Sequence, residues 1–262
     1  VAEPAADLLL EIGTEELPTA DLDTAISQLR DALTQLLQDA RLSYAALFVE
    51  GTPRRLAARV KSLQSQQDNR VLEVKGPPAD RAFDAAGKPT KAAEGFARSR
   101  GVGVEQLQVR EFEGNPYVFA RIDEPGRPTP EILAQALPGL YAGIRFTKAM
   151  RWNATGMSFS RPVRWLVALF GTEVVPFEFA GLKSGRVTRG LRFSATPEQI
   201  LASAADYEPY LREEGIILSQ AERREKIWRE ALALAEKTGG TLPDDPALLD
   251  EVTNLVEKPT PL

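Results

Sequence analysis

The sequence predicts an α+β fold: a mixed region of antiparallel strands and amphipathic helices, followed by a helical C-terminal third. Three observations predict it. Short apolar runs bounded by glycine and proline alternate with stretches of helical spacing as far as Phe193, and beyond Pro197 helical spacing takes over. At 43% apolar and 26% charged residues, the composition is that of an ordinary globular protein. With 262 residues, at ~100–200 per domain, the chain suits two domains or one large domain with an insertion.

Taken in order, Leu8 to Ile12 is a short apolar run that reads as a strand stopped by Gly13-Thr14. Glu15 and Glu16 follow as a polar turn before Pro18, and on extended chain two adjacent carboxylates point to opposite faces. Leu22, Ile26, Leu29, Leu33, Leu36 and Leu37 mark one amphipathic helix from about Asp21 to Asp39. Ala46 to Glu50 and Leu56 to Val60 read as strands around Gly51-Thr52-Pro53, with Arg54 and Arg55 opening the second. Lys75 to Pro78 and Asp84 to Pro89 read as loops, Lys91 to Arg100 as a helix and Tyr117 to Ile122 as a strand.

After a proline-rich linker at Pro125 to Pro130, two short helices are expected, Glu131 to Leu137 and Leu140 to Phe146, broken at Pro138-Gly139. Arg164 to Phe170 and Glu173 to Phe179 form an expected hairpin about Gly171-Thr172, and Arg186 to Phe193 another strand. Ser219 to Lys237 and Asp244 to Val256 are the clearest helices of the final third. The last residues, Glu257 to Leu262, read as cut off rather than finished. Composition and periodicity divide the chain into a mixed region 1–127, a basic strand-rich region 128–195 and a helical region 196–262; the second boundary is set near Ser194 to Pro197.

Residue inventory narrows the chemistry. There is no cysteine, hence no disulfide framework, thiolate zinc site or thiol nucleophile. There is no histidine, which removes the commonest general base and the usual metal ligand. A self-contained hydrolase is a poor reading, and no metal site is expected. Gly87-Lys88-Pro89-Thr90 lacks the preceding glycine of a phosphate-cradling loop and has proline where a free amide is needed. No run approaches the ~18 apolar residues of a membrane span, and the acidic start, Val1 to Asp7, is not a secretory signal.

Charge is distributed unevenly. Net charge is −5, yet nine basic residues lie between Arg145 and Arg192 against only Glu173 and Glu178. Seven of the nine are arginines, whose planar fork suits bidentate phosphate contact. Phe146, Trp152, Phe159, Trp165, Phe170, Phe177, Phe179 and Phe193 are interleaved with them. Taken singly, each ring is best explained as core. The arginines as a group, in an otherwise acidic chain, point to a single-stranded or looped RNA surface.

Several segments then converge on one pattern. LLLEIGTEELP (Leu8 to Pro18), GTPRRLAARV (Gly51 to Val60), KGPP (Lys75 to Pro78) and AFDAAGKPTKAAEGFARSRGV (Ala82 to Val102) resemble the opening of the bacterial glycyl-tRNA synthetase beta subunit. So do KAMRW (Lys148 to Trp152), FSRPVRWLVAL (Phe159 to Leu169), TRGLRF (Thr188 to Phe193) and EVTNLVEKP (Glu251 to Pro259). Together they span nearly the whole chain, in the family's order.

The resemblance implies an alpha2-beta2 heterotetramer in the cytoplasm, in which the alpha subunit binds ATP (with Mg) and glycine. The beta subunit supplies much of the tRNA(Gly) binding, so no catalytic site and no cofactor are expected in this chain. Family members continue into an HD-type and an anticodon-binding domain, which makes this an N-terminal portion. The residues matched to family motifs and assigned to tRNA are Arg54, Arg55, Lys148, Arg151, Trp152, Arg161, Arg164, Trp165, Arg189 and Arg192. For Arg161 and Arg164, internal ion pairing or backbone capping is the competing role. A structural module docking on the alpha subunit, with no RNA contact, is the competing function. Two departures from the family pattern are Leu191, where histidine is usual, and Ser219-Gln220-Ala221, where an aspartate is usual before the paired arginines.

Overall fold

A computed structural model describes residues 5–193 and 198–261. Most of the acidic start, the expected boundary at Ser194 to Pro197 and the final leucine lie outside the described residues. In chain order the elements are β1 (Ala6–Thr14), α1 (Thr19–Asp39), β2 (Ala46–Thr52), β3 (Arg55–Leu63), β4 (Arg70–Pro78), α2 (Ala79–Ala82), α3 (Lys91–Arg100), β5 (Leu107–Phe112), β6 (Asn115–Glu124), α4 (Thr129–Gly143) and β7 (Val163–Phe170). The short strands β8 (Glu173–Val174), β9 (Glu178–Phe179), β10 (Leu182–Lys183), β11 (Val187–Arg189) and β12 (Glu198–Ile200) follow, then α5 (Tyr207–Glu213), α6 (Gln220–Lys237) and α7 (Pro246–Thr253). The fold is mixed α+β with antiparallel sheets, as the sequence predicts.

The chain forms two compact units. Residues 67–127 make one, and the described parts of 1–66 and 128–262 make the other. The larger unit is built on an antiparallel sheet in the order β2-β3-β1-β7-β8. Strand β1 of the expected first region and β7 of the expected second therefore sit side by side in one sheet.

Alternation along β1 separates two cores. Leu8, Leu10 and Ile12 meet the apolar stripe of α1 (Leu22, Leu29, Leu33, Leu37) and that of α4 (Leu133, Leu137, Tyr141). Leu9, with Ala57 of β3 and Trp165, Val167 and Leu169 of β7, packs against Tyr207 and Leu211 of α5 and against Ile216 and Leu218. Burial on both faces explains why Leu166–Phe170 reads as a continuous apolar run and Leu8–Ile12 as one interrupted only by Glu11. Each fully buried leucine contributes about 1.5–3 kcal/mol. The smaller unit is a three-stranded sheet, β4-β6-β5, with Val118 packed on Ala82 of α2 and Ala93 of α3.

Four local expectations are corrected. Lys75–Pro78 is the end of β4, not a loop; β4 is an edge strand, and the register shifts between Lys75 and Pro78, which is where a sheet tolerates proline. Residues 129–143 form one helix with Pro138 inside it. An interior proline costs ~3 kcal/mol, and burial of Ile132, Leu133, Leu137 and Tyr141 along one side offsets that. The hairpin after Gly171 ends at Val174, because Pro176 cannot continue the ladder; Glu178–Phe179 pairs with β10 instead. The expected strand Arg186–Phe193 is ordered as β only over Val187–Arg189, and its partner Glu198–Ile200 is a strand where helix is expected. Among the described residues no helix is long and apolar enough to cross a membrane.

Candidate functional site

The sequence places one charge inside an apolar strand: Glu11 of β1, fully buried on the α5 side of the sheet. An ionised carboxylate there must be paired and hydrogen-bonded, and four donors converge on it. Oε1 accepts from Arg55 Nη1 at 3.1 Å and the Tyr207 hydroxyl at 2.8 Å; Oε2 accepts from Trp165 Nε1 at 2.9 Å and Thr188 Oγ1 at 2.7 Å. Each donor comes from a different element: β3, α5, β7 and β11.

Arg55 extends the network to the end of the chain. Its Nε donates to Glu257 Oε1 at 2.9 Å, and Thr52 Oγ1 donates to the same oxygen at 2.6 Å. Burial alone would lower the Arg55 pKa, but the carboxylates of Glu257 and Glu11 outweigh it and hold the guanidinium above its ordinary value. Tyr207 is pushed well above the usual phenol range by burial and by Glu11 beside it. Glu11 accepts two donors on each oxygen, which saturates it, while Glu257 takes both of its hydrogen bonds on Oε1 and faces Arg54 with Oε2 at 3.5 Å.

Against this buried frame lies a cleft of 340 Å³, lined by Thr14, Glu15, Arg54, Arg164, Trp165, Arg189, Gly190, Leu191, Arg192 and Glu198. Trp165 forms part of its wall, with the guanidiniums of Arg189 and Arg54 at 5.3 and 5.9 Å from its ring centroid. The ring seats directly on the backbone of Gly13. At the rim, Arg164 Nε lies 3.0 Å from Glu15, Arg192 3.3 Å from Glu16, and Arg189 2.9 Å from Glu198 across the β11–β12 register. Four arginines against two glutamates leave the lining cationic. A neighbouring cleft of 640 Å³ shares Arg54, Leu191 and Arg192 but adds Glu16, Glu213, Glu214 and Glu257 against the single further cation Lys258, so the positive surplus belongs to the first. Such a lining has the chemistry to hold anions. Among the described residues no group of three or more carboxylates is placed to hold a metal.

Half of the ten sequence-assigned residues meet here: Arg54, Arg164, Trp165, Arg189 and Arg192. Arg55, by contrast, lies fully buried, paired with Glu11 and Glu257. Trp165 is 7% exposed and donates to Glu11, which fits the core role expected of each ring taken singly. Arg54 is mostly covered, 3.5 Å from Glu257. The remaining four are not part of this cleft. Lys148 is exposed, and Trp152 packs at the edge of the α1 core. Arg151 donates to the Gly156 carbonyl and Arg161 to that of Ser160, the latter being the capping role weighed against RNA contact.

Leu191, at the family's histidine position, packs against the α5-side core. Ser219 caps α6, its hydroxyl accepting from the Glu222 amide, as a serine replacing aspartate can. The first of the paired arginines, Arg223, is buried among four carbonyl acceptors: Thr253, Ile217, Leu218 and Gly51. Burial pushes its pKa down to about 10. Sequence reasoning missed Glu11, Thr188, Tyr207 and Glu257. The one signal for them was Glu11 itself, a charge at an inward position of a strand buried on both faces.

The family model described as glycyl-tRNA synthetase beta subunit matches residues 8–262. A glycine–tRNA ligase beta subunit of Desulforamulus reducens is 46% identical over 258 residues, covering 98% of this chain and 37% of the relative. That of Moorella thermoacetica is 45% identical over the same shares. A chloroplastic/mitochondrial glycine–tRNA ligase of Arabidopsis thaliana is 46% identical over 262 residues, all of this chain and 24% of the relative. The chain thus spans about 37% of the bacterial relatives' length. Glu11, Arg55, Trp165, Thr188 and Glu257, which build the buried frame, all fall within the matched span, and the chain belongs to the glycyl-tRNA synthetase beta-subunit family.

Proposed function

We propose that this chain serves a glycine–tRNA ligase as an RNA-binding, non-catalytic part of its beta subunit, in the cytoplasm. In this reading the alpha subunit, in an alpha2-beta2 assembly, binds ATP with Mg and glycine, and the beta subunit helps hold tRNA(Gly) for attachment of the amino acid. The observation that carries it is the cationic cleft, whose rim arginines Arg164 and Arg192 are about half exposed while the frame beneath them is buried. Half-exposed guanidiniums, paired only with the surface carboxylates Glu15 and Glu16, can exchange those partners for successive phosphates.

The test is a titration of the chain with tRNA(Gly) and, separately, with the alpha subunit. RNA binding through several phosphates loses orders of magnitude in affinity between ~50 and 200 mM salt, and the chain alone activates no glycine. Association with the alpha subunit and none with tRNA would favour a docking module instead. One observation supports that alternative: Glu15, Glu16 and Glu198 already pair with the rim arginines, as acidic groups of a protein partner would.

A further inference from the structure

In the smaller unit, taken by itself, β4-β6-β5 has one face covered by α2 and α3. The register places Lys75, Phe119 and Gln108 in one cross-strand row, and Tyr117 beside Arg110 in the next. These side chains share the opposite face, together with Phe112 and Arg121. Phe112 is 40% exposed, an unusual position for a phenylalanine on a polar strand face. Its ring lies 6.2 Å from that of Tyr117 and 6.4 Å from that of Phe119. Lys75 Nζ sits over two of the rings, 3.9 Å from the Phe112 centroid and 3.7 Å from that of Tyr117. Arg110 pairs with Glu73 and Arg121 with Asp123, while Lys75 has no carboxylate partner among the described residues.

We propose that this open sheet face binds unstacked bases of single-stranded RNA, as a surface distinct from the arginine cleft. It deepens the RNA-binding reading and rests on it for the class of partner. Flat rings on a sheet face give bases a sequence-tolerant stacking platform, and flanking cations follow the backbone. Lys75 holds the ring positions in the free protein. Its flexible stem lets the ammonium swing to a phosphate when a base takes its place. Charge complementarity favours RNA over a protein surface: three cations face two carboxylates, and the group at the centre is a lysine, a residue depleted from the cores of protein interfaces.

The test uses the whole chain with a short fluorescein-labelled single-stranded RNA, and with the same strand annealed to its complement. The single strand is expected to bind more tightly than the duplex. Phe112→Ala is expected to weaken single-strand binding at least about fivefold, the lower end for the loss of one stacking partner, while Phe112→Trp retains it; circular dichroism checks that both fold. Equal binding of single strand and duplex, or an unchanged affinity in Phe112→Ala, overturns the proposal. So does a Phe112→Ala defect confined to association with the alpha subunit. The double variant Arg164→Ala/Arg192→Ala reads the cleft separately. Loss of tRNA there with no effect at Phe112 refutes only the sheet proposal, and the converse refutes only the cleft.

Discussion

The indole of Trp165 lies on the backbone of Gly13 so closely that a Cβ at Gly13 would fall 1.9 Å from two of its ring carbons. The two residues are register partners on β7 and β1, and their close approach sets the plane of a ring that donates to Glu11 and carries Arg189 on its face. The glycine of the GTEELP segment is thus a packing requirement. Its neighbour Thr14 and the following Glu15 then line the cleft.

Gly13→Ala must displace Trp165, since the obstructing atoms belong to a rigid ring. Overpacking of this kind costs about 1–3 kcal/mol, read as a lower urea midpoint. Gly95→Ala provides the control: it sits within α3 with nothing within 4 Å of an added Cβ, and is expected to stabilise by up to about 1 kcal/mol.

Glu11→Gln keeps the shape of the side chain but leaves Arg55 without one of its two carboxylates and presents an amide to a set of donors. Breaking a buried pair in this way costs about 3–5 kcal/mol. Pairing it with Arg55→Met in a double-mutant cycle is expected to show strong coupling. An additive result would mean that the Glu11–Arg55 pair at 3.1 Å contributes little.

Alkaline stability tests the same frame. The buried Tyr207 titrates well above 10.0 in the folded state, and the buried Tyr141 is raised as well. In the unfolded chain both ionise near their ordinary value, so above about pH 10 the unfolded state binds fewer protons and stability falls. Below that pH these tyrosines impose no slope. Arg223, lowered to about 10 by burial, acts in the opposite sense and offsets part of the fall. Tyr207→Phe is expected to start less stable, with one donor to Glu11 removed, and to decline less steeply in denaturation measured from about pH 9 to 11.

Much of the fold was legible in sequence because it rests on local periodicity. The α1 stripe, the β2–β3 hairpin and the Ser219 cap follow from residue spacing over a few turns. The site was legible as composition only. Arginine density located the right stretch of chain, but Glu11 meets its partners Arg55 and Tyr207 across 44 and 196 residues. No local pattern reports which of two adjacent arginines, Arg54 or Arg55, turns inward. The same limit applies to Glu257, which reaches back across 202 residues to Arg55. Where a proline's effect depended on tertiary burial, at Pro138, local propensity gave way to the core.

Phosphate uptake by the arginines bordering the Trp165 cleft, the role proposed for this chain, stands or falls on tRNA affinity. The decisive comparison is between the Arg164→Ala/Arg192→Ala double variant and the unaltered chain across ~50–200 mM salt. Both guanidiniums are half exposed, so fold and melting temperature are expected to change little. The variant is expected to bind more weakly at every salt concentration, with a log–log salt slope shallower by about two, one for each arginine removed. Unchanged affinity with an unchanged slope would rule out phosphate binding at this cleft.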